Sequence, residues 1–354
     1  MPSSAKPAIS VIIPVHNGGV NFRRCLSGLA AAVPPPSEII VVADGGTDGS
    51  WRLAEEFDTQ VLRMPVPEGP ARARNLGART AQGDLLFFID ADVALPPDAI
   101  GQVVDAFERE PELTAVFGSY DDAPAATNFL SQYKNLLHHY VHQTAREEAS
   151  TFWGACGAIR REVFLALGGF DERYRQPSIE DIELGYRLKR AGHRIKLCKA
   201  LQVKHLKRWG VVSLVKSDFF HRALPWTELI LRDRRFINDL NLRLSGRVSV
   251  MLTYGLLGAL VGAWWWPGSL ALAGALILAL LALNAPLYRF FQRKRGLAFA
   301  IQTIPWYWFY YFYSGLAFAI GIVRYLFRGK SCPEACLPIA PQRWSGSGKR
   351  PELH

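Results

Sequence analysis

Short apolar segments alternate with amphipathic ones over the first third of the chain. The apolar segments are rich in β-branched residues, whereas the segments between them repeat apolar positions every three or four residues, as helices do. The predicted strands are residues 9–15, 38–43, 60–64, 85–90 and 114–119, and the predicted helices are residues 20–32, 50–57, 71–81 and 97–108. This alternation predicts an α/β fold, with a mostly parallel sheet flanked by helices.

The pattern changes after Arg247. Residues 248–266 and 268–288 are uncharged and apolar, and each is about as long as the 20 residues that a helix needs to cross a bilayer. Residues 297–323 form a longer, aromatic stretch, in which Pro305 can separate an interfacial piece from a crossing. A buried helical core is the alternative for all three. We expect two to four transmembrane helices and leave the number of crossings open.

Four regions follow from these patterns. Residues 1–210 are expected to form a catalytic domain, residues 211–247 amphipathic interfacial helices, residues 248–330 the transmembrane segments and residues 331–354 a polar tail. Pro225 is expected to break or kink the interfacial helix. The first apolar run is too short for a signal peptide, so we expect the catalytic domain on the cytosolic face of a multi-pass inner-membrane protein.

The charge of the chain agrees with a membrane location. A formal net charge of +10 suits nucleic acid, an anionic bilayer or a phosphate-bearing substrate. Basic residues such as Arg289, Arg293, Lys294 and Arg295 flank the apolar stretches, which favours the bilayer and the cytosolic side, and we expect no nucleic-acid partner. The five cysteines form no secreted disulfide framework, and the spacing of Cys332 and Cys336 is a weak zinc pattern.

Loops rich in Gly, Asp, Asn or Arg follow the first four predicted strands. Their sequences are PVHNGG, ADGGTDGS, PVPEGPARARN and DAD. In open parallel sheets ligands bind beyond the carboxyl ends of the strands, so these loops predict one shared site. The GxGxxG fingerprint of dinucleotide-binding oxidoreductases does not follow the first strand, which argues against that class.

The DAD sequence places Asp90 and Asp92 one residue apart at the end of a strand. Alternate residues of a strand point the same way, so both carboxylates can approach one cation. Mg²⁺ and Mn²⁺ favour few protein carboxylates together with substrate phosphate oxygens. The alternative is that these residues cap the next helix.

Two neighbouring loops carry further polar candidates. Asp44 can accept hydrogen bonds from a base or a ribose, and the glycines after it allow a ligand to approach the backbone. The alternative is a turn in which Asp48 or Ser50 caps a helix. Arg74 can help to neutralise phosphate, and the alternative is that it belongs to an exposed basic face of the helix.

The second half of the catalytic region contains the other candidates. Glu180 and Asp181 lie in the first turn of a predicted helix, where an ionised Asp can act as a general base, and helix capping is the alternative. His205 can reach a metal or a pyrophosphate, and its basic surroundings fit a membrane surface equally well. His138 and His142 have helical spacing for a transition metal, but we prefer a polar surface near the acceptor.

Six motifs, taken in order, resemble those of family-two glycosyltransferases of GT-A fold. They are VIIPVHN, VVADGGTDGS, ARNLGA, GDLLFFIDADV, GACGAIRREVFLALGGFDE and EDIELGYRLKRAG, within residues 8–210. The resemblance implies a nucleotide-sugar donor, Mg²⁺ or Mn²⁺, and inversion at the anomeric carbon. It also implies that Asp44 contacts the nucleoside and that Asp181 is the base. Ala43 departs from the acidic pair that is usual at this place, which weakens any assignment of the nucleotide.

These considerations select a set of candidate site residues. For the nucleotide-sugar they are Pro14, His16, Asn17, Asp44, Arg74, Asp90, Ala91, Glu180 and His205; for the metal they are Asp90, Asp92 and His205; the catalytic candidate is Asp181. The predicted reaction transfers a sugar to a hydroxyl of a lipid-linked or membrane-embedded acceptor. The alternatives are transfer to a polyprenyl phosphate, a non-catalytic nucleotide- or glycan-binding membrane scaffold, and a nucleotidyltransferase.

Overall fold

The computed structural model describes residues 6–233 and 243–327. The strands are β1 (Ile9–Val15), β2 (Glu38–Asp44), β3 (Gln60–Met64), β4 (Leu85–Ile89), β5 (Val93–Ala94), β6 (Leu113–Tyr120), β7 (Cys156–Arg160) and β8 (Arg194–His205). The helices of the sheet domain are α1 (Gly19–Ala30), α2 (Ser50–Glu55), α3 (Pro70–Thr80), α4 (Ala99–Arg109), α5 (Phe129–Thr144), α6 (Arg161–Ala166) and α7 (Glu180–Arg190). The predicted tail 331–354, with Cys332 and Cys336, lies outside the described residues.

The strands form one mixed sheet in the order β3-β2-β1-β4-β7-β6-β8-β5. Strands β1 to β4 pair in parallel, β7 is antiparallel to both β4 and β6, and β8 runs parallel to β6. The short strand β5 is antiparallel to β8. Six strands therefore point one way, and the predicted mostly parallel sheet is confirmed, with β5 and β7 as reversed additions.

Helices cover both faces of the sheet because alternate strand residues are apolar on each face. Val11 and Ile13 of β1 pack with α1 and α4 in one core cluster. Ile12, between them, packs with α3, α6 and α7 in a second cluster on the opposite face. Burying each such side chain contributes about 1.5–3 kcal/mol. The two cores hold the carboxyl ends of β1, β2 and β4 at one fixed edge.

A helical run leads away from the sheet domain. It consists of α8 (Val211–Lys216), a π-helical segment (Ser217–Ala223) and α9 (Leu224–Asp233). Pro225 does not break this run, since the helix widens into the π-helical segment directly before it. Proline has no N–H for the carbonyl four residues earlier, and Ser178 Oγ donates to that carbonyl of His221 at 2.7 Å instead.

Three long helices complete the described chain. They are α10 (Leu244–Gly262), α11 (Ser269–Arg295) and α12 (Leu297–Phe327). In the described part of the chain, α10 and α11 are the two helices that are long and apolar enough to cross a membrane, and 22% of each apolar window is buried. Most of their apolar surface therefore faces outward. Trp264, Trp265 and Trp266 in the turn between them are exposed.

Helix α12 packs against α10 and α11 and also contacts α5, the π-helical segment and α9. It continues through Pro305, so this proline does not split it. Near its start, the ring of Phe299 packs on α5. In its middle, the Tyr313 hydroxyl donates to Asp218 of the π-helical segment at 2.8 Å. Near its end, Arg324 lies 3.8 Å from Glu228 of α9. The start of α12 therefore contacts the sheet domain, and its end contacts α9.

Candidate active site

The loops after β1 and β2 are tied to each other. Asn17 adopts a left-handed backbone with φ of 52°. Its Oδ1 accepts hydrogen bonds from the backbone N–H groups of Thr47 at 2.8 Å and Asp48 at 3.2 Å. The His16 ring bonds through Nδ1 to the Asp44 carbonyl at 2.7 Å. The PVHN and ADGGTDGS motifs thus form one shared loop layer, as their positions at adjacent strand ends predict.

The Asp44 side chain fastens a third loop to this layer. Its carboxylate is buried and accepts hydrogen bonds from the backbone N–H groups of Glu68 at 2.7 Å and Gly69 at 2.9 Å. Gly45, with φ of +60°, lets this loop approach closely, since a Cβ there would lie 2.3 Å from Pro67 N. Asp44 therefore holds the start of α3, a contact that sequence reasoning did not foresee.

Arg74 connects the aspartate pair to the helix that carries the predicted base. Its side chain is buried, with one terminal nitrogen 2.6 Å from Asp90 Oδ1 and the other 2.8 Å from Glu180 Oε1. Burial opposes a charged guanidinium, but Asp90 and Glu180 raise the pKa of Arg74 above its usual value. Arg74 thus faces protein carboxylates rather than solvent, and it joins residues more than 100 positions apart into one site.

Asp90 and Asp92 lie in the turn between β4 and β5. Ala91, between them, packs against the first core cluster and leaves both carboxyl groups at the edge of the sheet. Burial and the neighbouring Asp90 raise the pKa of Asp92 to about 6, and Lys207 partly offsets the rise. Two carboxylates that repel each other at a partly buried edge provide the negative charge that a divalent cation would neutralise.

The pairing of β8 with β5 brings His205 to the aspartate pair. It lies opposite Val93 where β8 pairs with β5, and its Nε2 is 3.9 Å from Asp92 Oδ2. Its ring stacks on Tyr120 with the centroids 4.2 Å apart. Burial lowers the pKa of His205 to about 3, with Lys207 adding to the effect. The imidazole is therefore neutral at pH 7 and has a lone pair for a cation.

These residues fit a site that substrate oxygens complete. Within residues 6–233 and 243–327, no three His, Cys, Asp or Glu side chains converge closely enough to hold a metal by themselves. Two carboxylates and a neutral imidazole are the kind of partial ligand set that Mg²⁺ or Mn²⁺ completes with phosphate oxygens and water. Asp90, Asp92 and His205 are therefore chemically suited to hold such an ion.

Asp181 lies on the other side of Arg74, in the first turn of α7. Its Oδ2 accepts a hydrogen bond from the Gly154 N–H at 3.0 Å, so the GACGAI motif contacts it directly. Burial and the charge of Glu180 raise the pKa of Asp181 to about 6, against the effects of Gly154 and Arg74. A partly exposed carboxylate of this pKa is ionised at neutral pH and is basic enough to take a proton.

The predicted polar surface around the histidines of α5 is wrong. His139 and His142 are buried and bond through Nδ1 to the carbonyls of Tyr120 at 2.8 Å and Gly118 at 3.1 Å. These contacts hold α5 against β6. The rings of His138 and Tyr120 pack 4.5 Å apart and form part of an aromatic wall beside the site. No sequence motif marked Tyr120, which is visible only as the last residue of an apolar strand.

The sheet, with its carboxylates gathered at one edge, has the GT-A fold of glycosyltransferases. Residues 10–168 match the model of the family described as Glycosyl transferase family 2, and residues 136–209 match one described as N-terminal domain of galactosyltransferase. The sheet domain of this chain therefore belongs to the family-two glycosyltransferases.

Named relatives agree with this family. "Probable glycosyltransferase YdaM" of Bacillus subtilis (strain 168) is 29% identical over 210 residues, which cover 55% of this chain and 49% of YdaM. "Succinoglycan biosynthesis protein ExoA" of Rhizobium meliloti (strain 1021) is 27% identical over 237 residues, which cover 61% of this chain and 71% of ExoA. This chain thus matches about half the length of the first relative and more of the second.

A solved structure shows the same fold over most of the chain. It is the mannosyltransferase PcManGT from Pyrobaculum calidifontis in complex with GDP-Man and Mn²⁺. The superposition has a TM-score of 0.55 at 19% sequence identity and covers 89% of this chain and 88% of PcManGT. At this sequence identity the similarity shows the GT-A fold and does not identify the substrate of this chain.

Proposed function

We propose that this protein is a membrane-bound inverting glycosyltransferase. It would move a sugar from a nucleotide-sugar donor to a hydroxyl group of a lipid-linked acceptor. The observation that carries the proposal is the Arg74 bridge, which holds Asp90 and the Asp181 helix in one site through Glu180. Such a bridge gives a diphosphate-binding pair and a proton acceptor fixed relative positions, as a displacement reaction requires.

The donor would lie over the loops at the carboxyl ends of β1, β2 and β4. His16, Asn17 and Asp44 would form the floor under the nucleoside, while Asp90 and Asp92 would hold Mg²⁺ or Mn²⁺ at the diphosphate. A bound divalent cation supplies positive charge that stabilises the leaving nucleoside diphosphate. The GDP-Man and Mn²⁺ bound by PcManGT support this class of donor and cofactor.

Asp181 would act on the acceptor. As the acceptor oxygen forms its bond to the anomeric carbon, the bond from that carbon to the diphosphate oxygen breaks, and the electron pair leaves with the nucleoside diphosphate. Asp181 takes the proton from the attacking hydroxyl, so charge and atoms balance in one step. Attack on the face opposite the leaving group inverts the configuration at the anomeric carbon.

Membrane insertion would occur through α10 and α11. Their outward apolar surface is the main support for insertion. Two long helices with so few buried residues would expose a large apolar surface to water, which is unfavourable. The turn between them exposes Trp264, Trp265 and Trp266 by 88%, 76% and 67%. Tryptophan is enriched at membrane interfaces, so this turn would reach the far side of the bilayer.

The basic ends of the helices support a cytosolic catalytic domain. Lys294 at the end of α11 pairs with Asp122 of the sheet domain at 2.5 Å, and Arg295 donates to the Asp122 carbonyl at 2.6 Å. Arg324 of α12 faces Glu228 on the same side. With α12 along the interface, two crossings place all these cations on one side, as the positive-inside rule favours.

Nucleoside diphosphate release by the detergent-solubilised protein tests this proposal. The assay uses a donor panel with Mn²⁺, with and without membrane lipid extract, and compares wild type with Asp92→Ala and Asp181→Asn. Asp98→Ala is a matched control, because Asp98 is an exposed aspartate at the start of α4. NMR of the anomeric proton of the product then reports the configuration.

The expected result is lipid-stimulated release that Asp92→Ala and Asp181→Asn each reduce by at least 100-fold, with an inverted product. Retention of configuration would refute direct displacement. Donor binding without any turnover, unchanged by lipid, would favour a nucleotide-binding scaffold. Release of pyrophosphate instead of nucleoside diphosphate would indicate a nucleotidyltransferase.

A further inference from the structure

The aromatic wall beside the candidate carboxylates has three partly exposed members. They are Tyr120 at the end of β6, His138 of α5 and Trp153 in the loop before β7. The ring centroid of Trp153 is 4.8 Å from that of Tyr120 and 4.7 Å from that of His138. Binding sites are commonly lined by aromatic side chains of this kind, and the proposed reaction assigns no role to Trp153.

The backbone next to Trp153 contacts both the aspartate pair and the proposed base. Ala155, two residues later, accepts a hydrogen bond from the Asp90 N–H at 3.3 Å. Gly154, directly after Trp153, donates to Asp181 Oδ2 at 3.0 Å. A Cβ at Gly154 would lie 3.5 Å from Asp181 Cβ, so the loop runs close to this side chain. These contacts fix Trp153 beside the proposed base, at the edge of the sheet that carries the proposed cation site.

The order of the strands places the wall beyond the diphosphate. The loops proposed for the nucleoside follow β2 and β1, and the aspartate pair follows β4. The next strands in the sheet are β7 and β6, whose ends at this edge carry Trp153 and Tyr120. A donor that lies along this edge would therefore point its sugar toward the wall, and the acceptor would approach from the side of the wall.

Helix α5 connects the wall with the proposed membrane helices. Its His138 belongs to the wall, whereas Tyr140, two residues later, packs on Phe290 of α11 with the ring centroids 5.2 Å apart. The start of α5 packs on the start of α12 in the same way. An acceptor held by the bilayer would therefore reach the proposed base by passing this wall.

The histidines of the wall are neutral at pH 7. Burial lowers the pKa of His138 well below its usual value, and the neighbouring His142 adds to the effect. Burial also lowers the pKa of His142, on the next turn of α5, to about 4. Uncharged rings suit the face of a pyranose that carries only C–H groups, because that face loses little hydration when an aromatic ring covers it.

We propose that Trp153 stacks on a pyranose ring of the acceptor, so that the acceptor is a membrane-linked sugar rather than a bare polyprenyl phosphate or lipid alcohol. This inference rests on the proposed function, because it names the acceptor of the same site. Stacking would hold the ring with a hydroxyl directed at Asp181, since the residue after Trp153 contacts that carboxylate. Trp153 would thus select the acceptor and take no part in the proton transfer.

Binding of methyl pyranosides by the full-length protein in phosphatidylcholine nanodiscs tests the inference. The probes are both anomers of the methyl glycosides of glucose, galactose, mannose and N-acetylglucosamine, and saturation-transfer NMR records which sugar protons contact the protein. The protein variants are wild type, Trp153→Phe and Trp153→Leu. Trp265→Leu is the matched control, because it removes an exposed indole from the turn between α10 and α11. Thermal unfolding of each variant checks that it is folded.

We expect at least one methyl pyranoside to bind wild type and Trp265→Leu, with saturation transferred mainly to the protons of one ring face. Trp153→Leu should weaken this binding about 10-fold, as the loss of an aromatic contact at the centre of an interface commonly does, and Trp153→Phe should retain part of it. Binding of no pyranoside by wild type, or unchanged binding by Trp153→Leu, would overturn the inference.

Donor assays separate an acceptor sugar from the transferred sugar. Trp153→Leu should raise the KM for membrane lipid extract about 10-fold and leave the KM for the donor within about twofold of wild type. If the donor displaces the pyranoside, or if Trp153→Leu raises only the KM for the donor, Trp153 contacts the transferred sugar and the inference is wrong. If Asp92→Ala leaves donor turnover unchanged, the proposed function fails. Pyranoside binding needs no turnover, so it can still be judged in that case.

Discussion

Replacing Asp181 by Asn should make the protein more stable and inactive at the same time. Burial and Glu180 raise the pKa of this carboxyl from 3.8 to about 6, so ionising it at neutral pH costs the folded state about 3 kcal/mol. Partial exposure reduces the cost to about 2 kcal/mol, since water screens the charge. Asn removes the charge and keeps an oxygen for the Gly154 N–H, but it loses the oxygen that accepts from the Ile182 N–H at 2.8 Å, so about 1 kcal/mol should be recovered.

The size of the effect depends on pH. Below about pH 4 the wild-type carboxyl is protonated in both the folded and unfolded states, so the two proteins should have similar stability. As pH rises from about 4 to about 6, the folded wild type loses stability relative to the unfolded state, and Asp181→Asn does not. For a domain of this size, about 1 kcal/mol corresponds to about 2–4 °C in the midpoint of thermal unfolding.

The assay is thermal unfolding in detergent with EDTA at pH 4.5 and pH 8, together with donor turnover under Mn²⁺. Glu162→Gln is the control, because Glu162 also lies in the first turn of a helix and is exposed. Turnover by wild type should rise with pH through about 6 as the base ionises. A lower midpoint for Asp181→Asn at pH 8, or an equal gain at both pH values, would refute the reasoning.

Three other perturbations have expected outcomes. Asp92→Ala should abolish the stimulation of donor turnover by Mn²⁺, and a metal titration that still saturates would contradict this. Arg74→Ala should destabilise the fold by about 3–5 kcal/mol, seen in thermal unfolding, because it leaves two carboxylates without their partner. Tyr313→Phe should cost about 1–3 kcal/mol by removing a hydrogen bond to buried Asp218, and Tyr254→Phe, at a more exposed hydroxyl, should cost less in the same measurement.

The sheet and its polar edge were predictable from the sequence because they depend on local patterns. β-Branched runs and helical periodicity placed β1 to β4 and β6 within about one residue of their observed ends. The loops around Asn17, Asp44 and Asp90 met because parallel strands bring their carboxyl ends to the same edge. No long-range information was needed for these features.

The contacts across the site were beyond sequence reasoning because they join distant parts of the chain. Nothing in the ARARN motif shows that Arg74 faces Glu180, 106 residues later. The hydrogen bond from Tyr313 of α12 to Asp218 likewise joins residues that are 95 positions apart. The course of α12 was likewise left open, because length and composition do not distinguish a crossing helix from one that lies against a domain.

The tie between Lys294 and Asp122 has a consequence for substrate length. Together with the contact of Arg324 with Glu228 of α9, it connects the two ends of α12 to the sheet domain and to the helical run that follows it, so the catalytic site would lie at a constant height above the bilayer. Such an enzyme would select acceptors by the distance between the membrane and the target hydroxyl. A series of acceptors that differ only in the number of sugar units between lipid and target hydroxyl should show one optimal length, whereas a loosely tethered domain would accept many.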